Sequence, residues 1–177
     1  MRHIVASGTH ATLLNLVWFQ LCWLVAVIGR DAWLGLLFLL LMFHLCWPAQ
    51  GKRDWPAVGC CGVIGILTDG ALTQLGLFSF SPAPDFLIPF WLAGLWLAFA
   101  GTLSYGLKWL QDKPFLAALL GAIFGPLSYF AGMQLGAVAF DHNLTFTLMI
   151  LALLWALLMP LFGWITARLM EPTYEKA

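Results

Sequence analysis

Between residues 11 and 167 the chain is a succession of apolar runs, each near the length of a bilayer crossing, broken by short clusters of Gly, Pro and charge. A hydrocarbon core of about 30 Å takes roughly 20 apolar helical residues to cross. Six such runs are present, at 11–28, 32–47, 57–78, 90–110, 115–140 and 144–167, the second being the shortest. They predict an all-α polytopic membrane helical bundle: six transmembrane helices, arranged as three hairpins, in a single domain spanning 1–177. Composition agrees, since 62% of residues are hydrophobic and 9% charged, with a mean hydropathy of +0.91. A soluble domain is roughly half apolar and a quarter charged. Eight Lys and Arg balance eight Asp and Glu, so there is no basic field for a nucleic-acid backbone. Arg2 before an apolar run imitates a signal peptide, but no small-x-small cleavage site precedes Arg30, and the run reads as the first span.

Orientation follows from the cations. Arg2, Lys52, Arg53, Lys108, Lys113, Arg168 and Lys176 fall at the termini or in the second and fourth loops, and Arg30 alone falls on the other side. The positive-inside rule then places both termini in the cytoplasm. The outer loops are Arg30-Asp31, the Pro-rich stretch 79–89, and Asp141-His142-Asn143, too short to form a domain. No soluble domain is expected.

The acid that stands apart is Asp69, about 18 Å along the third span at 1.5 Å per residue. A charged Asp at the bilayer centre costs about 2.5–3.5 kcal/mol on insertion scales, so an acid there must face protein, water or a ligand. Gly59, Gly62, Asp69, Thr73 and Gly76 fall on one helical face, and small residues let helices approach closely in lipid. The fifth span repeats the arrangement with Gly121, Gly125, Gly132 and Gly136, and brings Tyr129 close to the level of Asp69. Pro126 removes a helical donor beside it. The candidate site is therefore Asp69 and Tyr129 as catalytic groups, with Thr68, Thr73, Gln74, Ser128 and Gln134 as substrate-binding residues. The alternative for each is helix packing, since buried polar side chains also tie membrane helices together.

Three outward-running helices share a weak pattern: Asn15 with Gln20, Asp69 with Gln74, and Tyr129 with Gln134. For the last two the match extends to Gly65/Gly125, Thr68/Ser128, Leu75/Leu135 and Gly76/Gly136, all sixty apart. This pattern is either an internal repeat or the coincidence that Gly- and Leu-rich bundles produce.

Other features carry less. His44 and Cys46 are two apart and point to different faces, as do the adjacent Cys60 and Cys61, so neither pair shares a metal. No metal site and no cofactor is expected. Tyr105 extends the stripe Gly94, Ala98, Gly101 on the fourth span. Trp33, Trp47, Trp55, Trp91, Trp109 and Trp164 near span ends read as interfacial anchors. Ala152, Ala156, Pro160, Gly163 and Ala167 give the sixth span a small-residue stripe open to a second copy, so a homodimer is possible. The nucleophile-elbow, zinc-protease, phosphate-loop and dinucleotide motifs are absent.

Gly65-Ile66-Leu67-Thr68-Asp69-Gly70 with Leu75-Gly76-Leu77-Phe78, then Gly125-Pro126-Leu127-Ser128-Tyr129 with Gly132, resemble the domain of unknown function 2878 family of small proteobacterial membrane proteins. The resemblance covers nearly the whole chain. It implies a place in the bacterial inner membrane and, from the cyclopropane-fatty-acyl-synthase-like proteins often encoded near such members, a part in fatty-acyl modification. It carries no catalytic residues to transfer.

Three functions compete. The first is binding or modification of an acyl-lipid substrate through Asp69 and Tyr129, with membrane lipids and a lipid-metabolism protein as partners. The second is a small proton-coupled transporter driven by Asp69. The third is a noncatalytic scaffold or partner subunit.

Overall fold

A computed structural model describes residues 2–46 and 54–170, with side chains from residue 10 onward in those stretches except Leu45. Trp47, Lys52, Arg53 and Lys176, used above for anchoring and orientation, lie outside the described residues, as do the side chains of Arg2 and His3. The architecture is all-helical: α1 (Arg2–Leu24), α2 (Leu34–Cys46), α3 (Trp55–Gln74), α4 (Phe90–Ala100), α5 (Pro114–Gln134) and α6 (Leu144–Met170). Four helical stretches are long and apolar enough to cross a membrane. They are His10–His44, which takes α1, α2 and their connection together, and α3, α5 and α6.

The first stretch is not one rod. A π-helical turn, Val25–Gly29, and a 3-10 turn, Arg30–Trp33, join α1 to α2, and Arg30 takes a positive φ of 47°. The Trp18 indole N–H donates to Leu40 O at 2.9 Å, and its ring stacks on His44 at 4.4 Å. These contacts join residues 22 and 26 positions apart, which a straight helix would hold more than 30 Å apart at about 1.5 Å per residue. α2 therefore runs back along α1.

The third and fifth helices stop earlier than the apolar runs predict. Both end at a glycine of positive φ, Gly76 at 73° and Gly136 at 68°, the backbone conformation that L side chains avoid and that closes a helix C-terminus. The closing bonds are the same in both. Leu75, Gly76 and Leu77 N–H donate to Ala71, Thr73 and Leu72 O, and Leu135, Gly136 and Ala137 repeat this on Ala131, Met133 and Gly132. The chain then enters two short strands, β1 (Phe78–Ser79) and β2 (Ala139–Phe140), which pair antiparallel with Ser79 opposite Ala139 and Phe78 opposite Phe140. Ser79 and Ala139 are themselves sixty apart, the same spacing as the glycines that close α3 and α5.

The fourth run departs most from expectation. It holds regular helix only over Phe90–Ala100, followed by turns and a 3-10 turn at Lys108–Leu110. The stripe predicted to carry through Gly101 to Tyr105 is thus broken at Ala100. Gly101, Thr102, Ser104 and Gly106 lose little by leaving the helix. The backbone they free is held by neighbours: Asn15 donates to Gly101 O at 3.3 Å and accepts from Gly106 N–H at 3.1 Å. The Gln111 amide donates to Leu103 O at 2.9 Å. Irregular backbone at membrane depth survives where protein surrounds it, and Gly101, Thr102, Leu103, Ser104 and Gly106 are all buried.

α5 and α6 pack along each other, as do α3 and α4, and a tryptophan-rich core fills the space between the pairs. Trp33, Trp55, Trp109 and Trp164 are exposed, but Trp91 is buried against Phe80 and belongs to the core, so it is not the interfacial anchor that its place near a span end predicts. It stands at the start of α4, directly after the buried Ile88 and Pro89 that end the Pro-rich loop.

Candidate functional site

Asp69 lies one turn from the end of α3 and is 1% exposed. Helical spacing puts it on the face that carries Gly62 and Gly65, and both glycines meet α4: a Cβ at Gly62 would press on Leu97, and one at Gly65 would overlap the Trp96 indole. That close approach brings Trp96 Nε1–H to Asp69 Oδ2 at 2.7 Å. From α5, the Tyr129 hydroxyl lies 2.7 Å from Oδ1 and 2.8 Å from Oδ2 and donates to the carboxylate. Hydrogen bonds to a charged group contribute about 1.5–3 kcal/mol each, comparable with the about 2.5–3.5 kcal/mol insertion cost of the acid. The carboxyl is thus accommodated without a cation. An indole N–H only donates, whereas a phenol both donates and accepts, so the Tyr129 hydroxyl can donate to the carboxylate or accept from the neutral acid.

The surroundings are aromatic and built alike from both halves. Trp96 of α4 stacks on Trp155 of α6 with centroids 5.3 Å apart and planes 12° from parallel. Gly65 lies against the Trp96 ring, and Gly125 lies against that of Trp155. Phe78 stacks on the Tyr129 ring at 5.3 Å, and Trp155 meets it edge-on at 6.5 Å. A cavity of about 40 Å³ adjoins Tyr129, walled by Trp23, Val27, Trp91, Ser128, Gly132 and Val138 among others. A space of roughly 10–15 Å³ holds a water, so this one admits water or a small polar group.

The remaining candidates divide. Ser128 lies at the cavity and accepts the Trp23 indole N–H at 2.9 Å. Thr68 and Thr73 instead turn onto their own helix, donating to Ile64 O and Asp69 O, each at 2.8 Å. Gln74 and Gln134 are exposed. Close-packed at the centre are therefore Asp69 and Tyr129, with Ser128 beside them.

Sequence reasoning missed Trp96, Trp155 and Trp23. The signal available was Gly65 and Gly125 at equal spacing, because a bare backbone inside a bundle implies a large ring against it. It also passed over a second polar cluster at the opposite end. There, His44 Nε2 lies 3.7 Å from Asp54 Oδ2, both residues are buried, and neither atom has a hydrogen-bond partner. Trp18 stacks on the imidazole, Tyr105 meets it edge-on, and Gly101 leaves room for it, since a Cβ would stand 2.8 Å from Nε2. Cys46 is exposed, apart from His44. Among the described residues no three His, Cys, Asp or Glu side chains group as metal ligands.

No curated protein and no solved structure matches this chain. One family model does, that of a protein of unknown function, DUF2878, over residues 12–161. With a match over most of its length, the chain belongs to the DUF2878 family.

Proposed function

We propose that this chain is a multi-pass membrane protein that binds or modifies an acyl lipid, with the Asp69–Tyr129 pair holding and exchanging a proton beside the substrate. The carrying observation is that Asp69 is sealed from solvent while its partner Tyr129 lines a cavity. When the hydroxyl gives its proton to a group in that cavity, the protonated Asp69 carboxyl behind it supplies the replacement and becomes carboxylate, and the reverse transfers return both protons. Ser128, at the same cavity, offers a second polar contact for a headgroup or a modified chain atom. The stacked Trp96 and Trp155 fill the bundle beside the pair, which suits a lipid site better than an aqueous path.

In this reading the six helices are six crossings in three hairpins, in a bacterial inner membrane. The reversal at Arg30 supports the first hairpin. The tethered segment after Ala100 supports α4 as a crossing completed by irregular backbone. Lys108, Lys113 and Arg168 stand at the end away from Arg30, which supports cytoplasmic termini. Single-cysteine labelling at Asp85 and Asp112 checks this: opposite accessibility from outside intact cells is expected, and equal accessibility would discard the six-crossing topology.

The functional test is an untargeted lipid profile of a deletion strain carrying wild type, Asp69→Asn or Tyr129→Phe at matched protein levels. A lipid species restored by wild type and by neither variant is expected, and identical profiles would overturn the reading. A second reading, a small proton-coupled transporter, is favoured by the buried His44–Asp54 pair, since Asp54 and Asp69 stand fifteen residues apart at either end of α3. It predicts pH-dependent solute uptake into proteoliposomes that both Asp69→Asn and Asp54→Asn abolish.

A further inference from the structure

We propose that the groove between α1 and α5 holds one acyl chain of an anionic glycerophospholipid, with its phosphate at Lys108 and Lys113 and its chain running inward toward Ser128. This deepens the lipid reading above and rests on it for the chain's role as substrate. The groove encloses about 340 Å³, within the roughly 300–1,000 Å³ range of ligand sites. Leu16 and Phe19 of α1, Leu120 and Phe124 of α5, and Trp155 and Met159 of α6 form much of its wall. Its two hydroxyls are already engaged, Thr102 with Phe99 O and Ser128 with Trp23. The rest of the lining is hydrocarbon, aromatic ring and glycine backbone, so the space suits a chain better than ordered water, and an apolar occupant restores the dispersion contacts that its lining lacks.

The opening faces lipid. Phe124, midway along α5, is 63% exposed although it lines the groove, and Trp109 at the other end is 48% exposed. At that end the chemistry changes. Lys113 Nζ sits 5.2 Å from the Trp109 ring centroid, and Lys108 lies between two groove residues, Leu107 and Trp109. Asp112 is exposed in the same turn, leaving the mouth with one net positive charge. An aromatic ring beside lysines at the end of an apolar slot matches a phosphate joined to a hydrocarbon chain. From Leu120 the slot runs about 12 Å along α5 at 1.5 Å per residue to Ser128. There the Trp23–Ser128 hydrogen bond separates it from the cavity beside Tyr129.

The experiment uses the full chain in phosphatidylcholine nanodiscs doped with a phosphatidylglycerol carrying a diazirine at the end of one acyl chain. Irradiation is expected to label Phe19, Leu120, Phe124 and their neighbours, and excess unlabelled phosphatidylglycerol to suppress that labelling several-fold. Leu120→Trp, which fills the slot, and Lys108→Glu with Lys113→Glu, which reverses its mouth, should each reduce it several-fold. The same diazirine on phosphatidylcholine should be insensitive to the charge reversal. Labelling spread equally over Phe38, Leu39, Leu153 and Leu157 would overturn the proposal, and the wild-type map decides this even if Leu120→Trp fails to fold. Groove labelling with an unchanged lipid profile in Asp69→Asn keeps the groove and removes the lipid-modifying reading. A changed profile without groove labelling does the reverse.

Discussion

The Tyr129 hydroxyl contacts both oxygens of Asp69, at 2.7 and 2.8 Å, although the two residues lie sixty positions apart on helices that end in the same way. Removing that hydroxyl in Tyr129→Phe leaves a buried carboxyl with Trp96 as its remaining donor. The expected cost is about 1–3 kcal/mol, read as a lower unfolding temperature in detergent. Asp69→Asn should cost less, because the amide oxygen can accept from Trp96 while its N–H₂ donates to the Tyr129 oxygen. If Tyr129→Phe unfolds at the wild-type temperature, the pair contributes nothing to the fold.

The stacked indoles make glycine replacement position-specific. Gly65→Ala and Gly125→Ala each drive a methyl into a tryptophan ring, an overpacking that costs about 1–3 kcal/mol. Gly59→Ala meets nothing within 4 Å and should be neutral or slightly stabilising, since alanine favours helix by up to ~1 kcal/mol. Denaturation followed by tryptophan fluorescence separates the two cases, and equal behaviour at all three positions would discount the stack.

At the helix ends, Gly76→Ala and Gly136→Ala place a Cβ on backbone at φ 73° and 68°. Each is expected to destabilise by about 1–2 kcal/mol. Space is not the cause at Gly76, which has no neighbour within 4 Å, so Gly76→Asn, which tolerates this conformation better, should recover part of the loss in the same unfolding measurement.

His44 and Asp54 should prove coupled. Either truncation leaves the other buried without its counterpart, so His44→Ala, Asp54→Ala and the double variant are expected to be non-additive by about 0.5–3 kcal/mol. A double-mutant cycle on unfolding free energies measures this directly, and additive values would mean that the 3.7 Å approach is energetically idle.

Asn15 bridges the backbone on either side of the turn after α4. Asn15→Ala should cost about 1–3 kcal/mol, because both backbone groups lose their partner inside the bundle. Hydrogen exchange should report the loss as faster exchange at Gly106.

The sequence by itself determined that this chain is helical, with stretches long and apolar enough to cross a membrane, because continuous apolar runs of that length satisfy their backbone internally as helix. It also singled out Asp69 and Tyr129, since a lone acid deep in a span and a matching tyrosine at the same depth are rare enough to notice. Thr68, Thr73, Gln74 and Gln134 shared that depth in sequence, but depth does not say which way a hydroxyl or amide turns, and the structure sends them to their own helix or to the surface. Nor do apolar runs mark where helix stops: Gly76, Gly136 and Gly101 end it inside stretches that remain hydrophobic. Only the tertiary structure joined Trp96 to Asp69 and Trp155 to Trp96, paired His44 with Asp54, and left the groove beneath Ser128. Each of those depends on how closely two helices approach, which is settled by bare glycine backbone meeting a large ring across the bundle rather than by the periodicity of either helix alone.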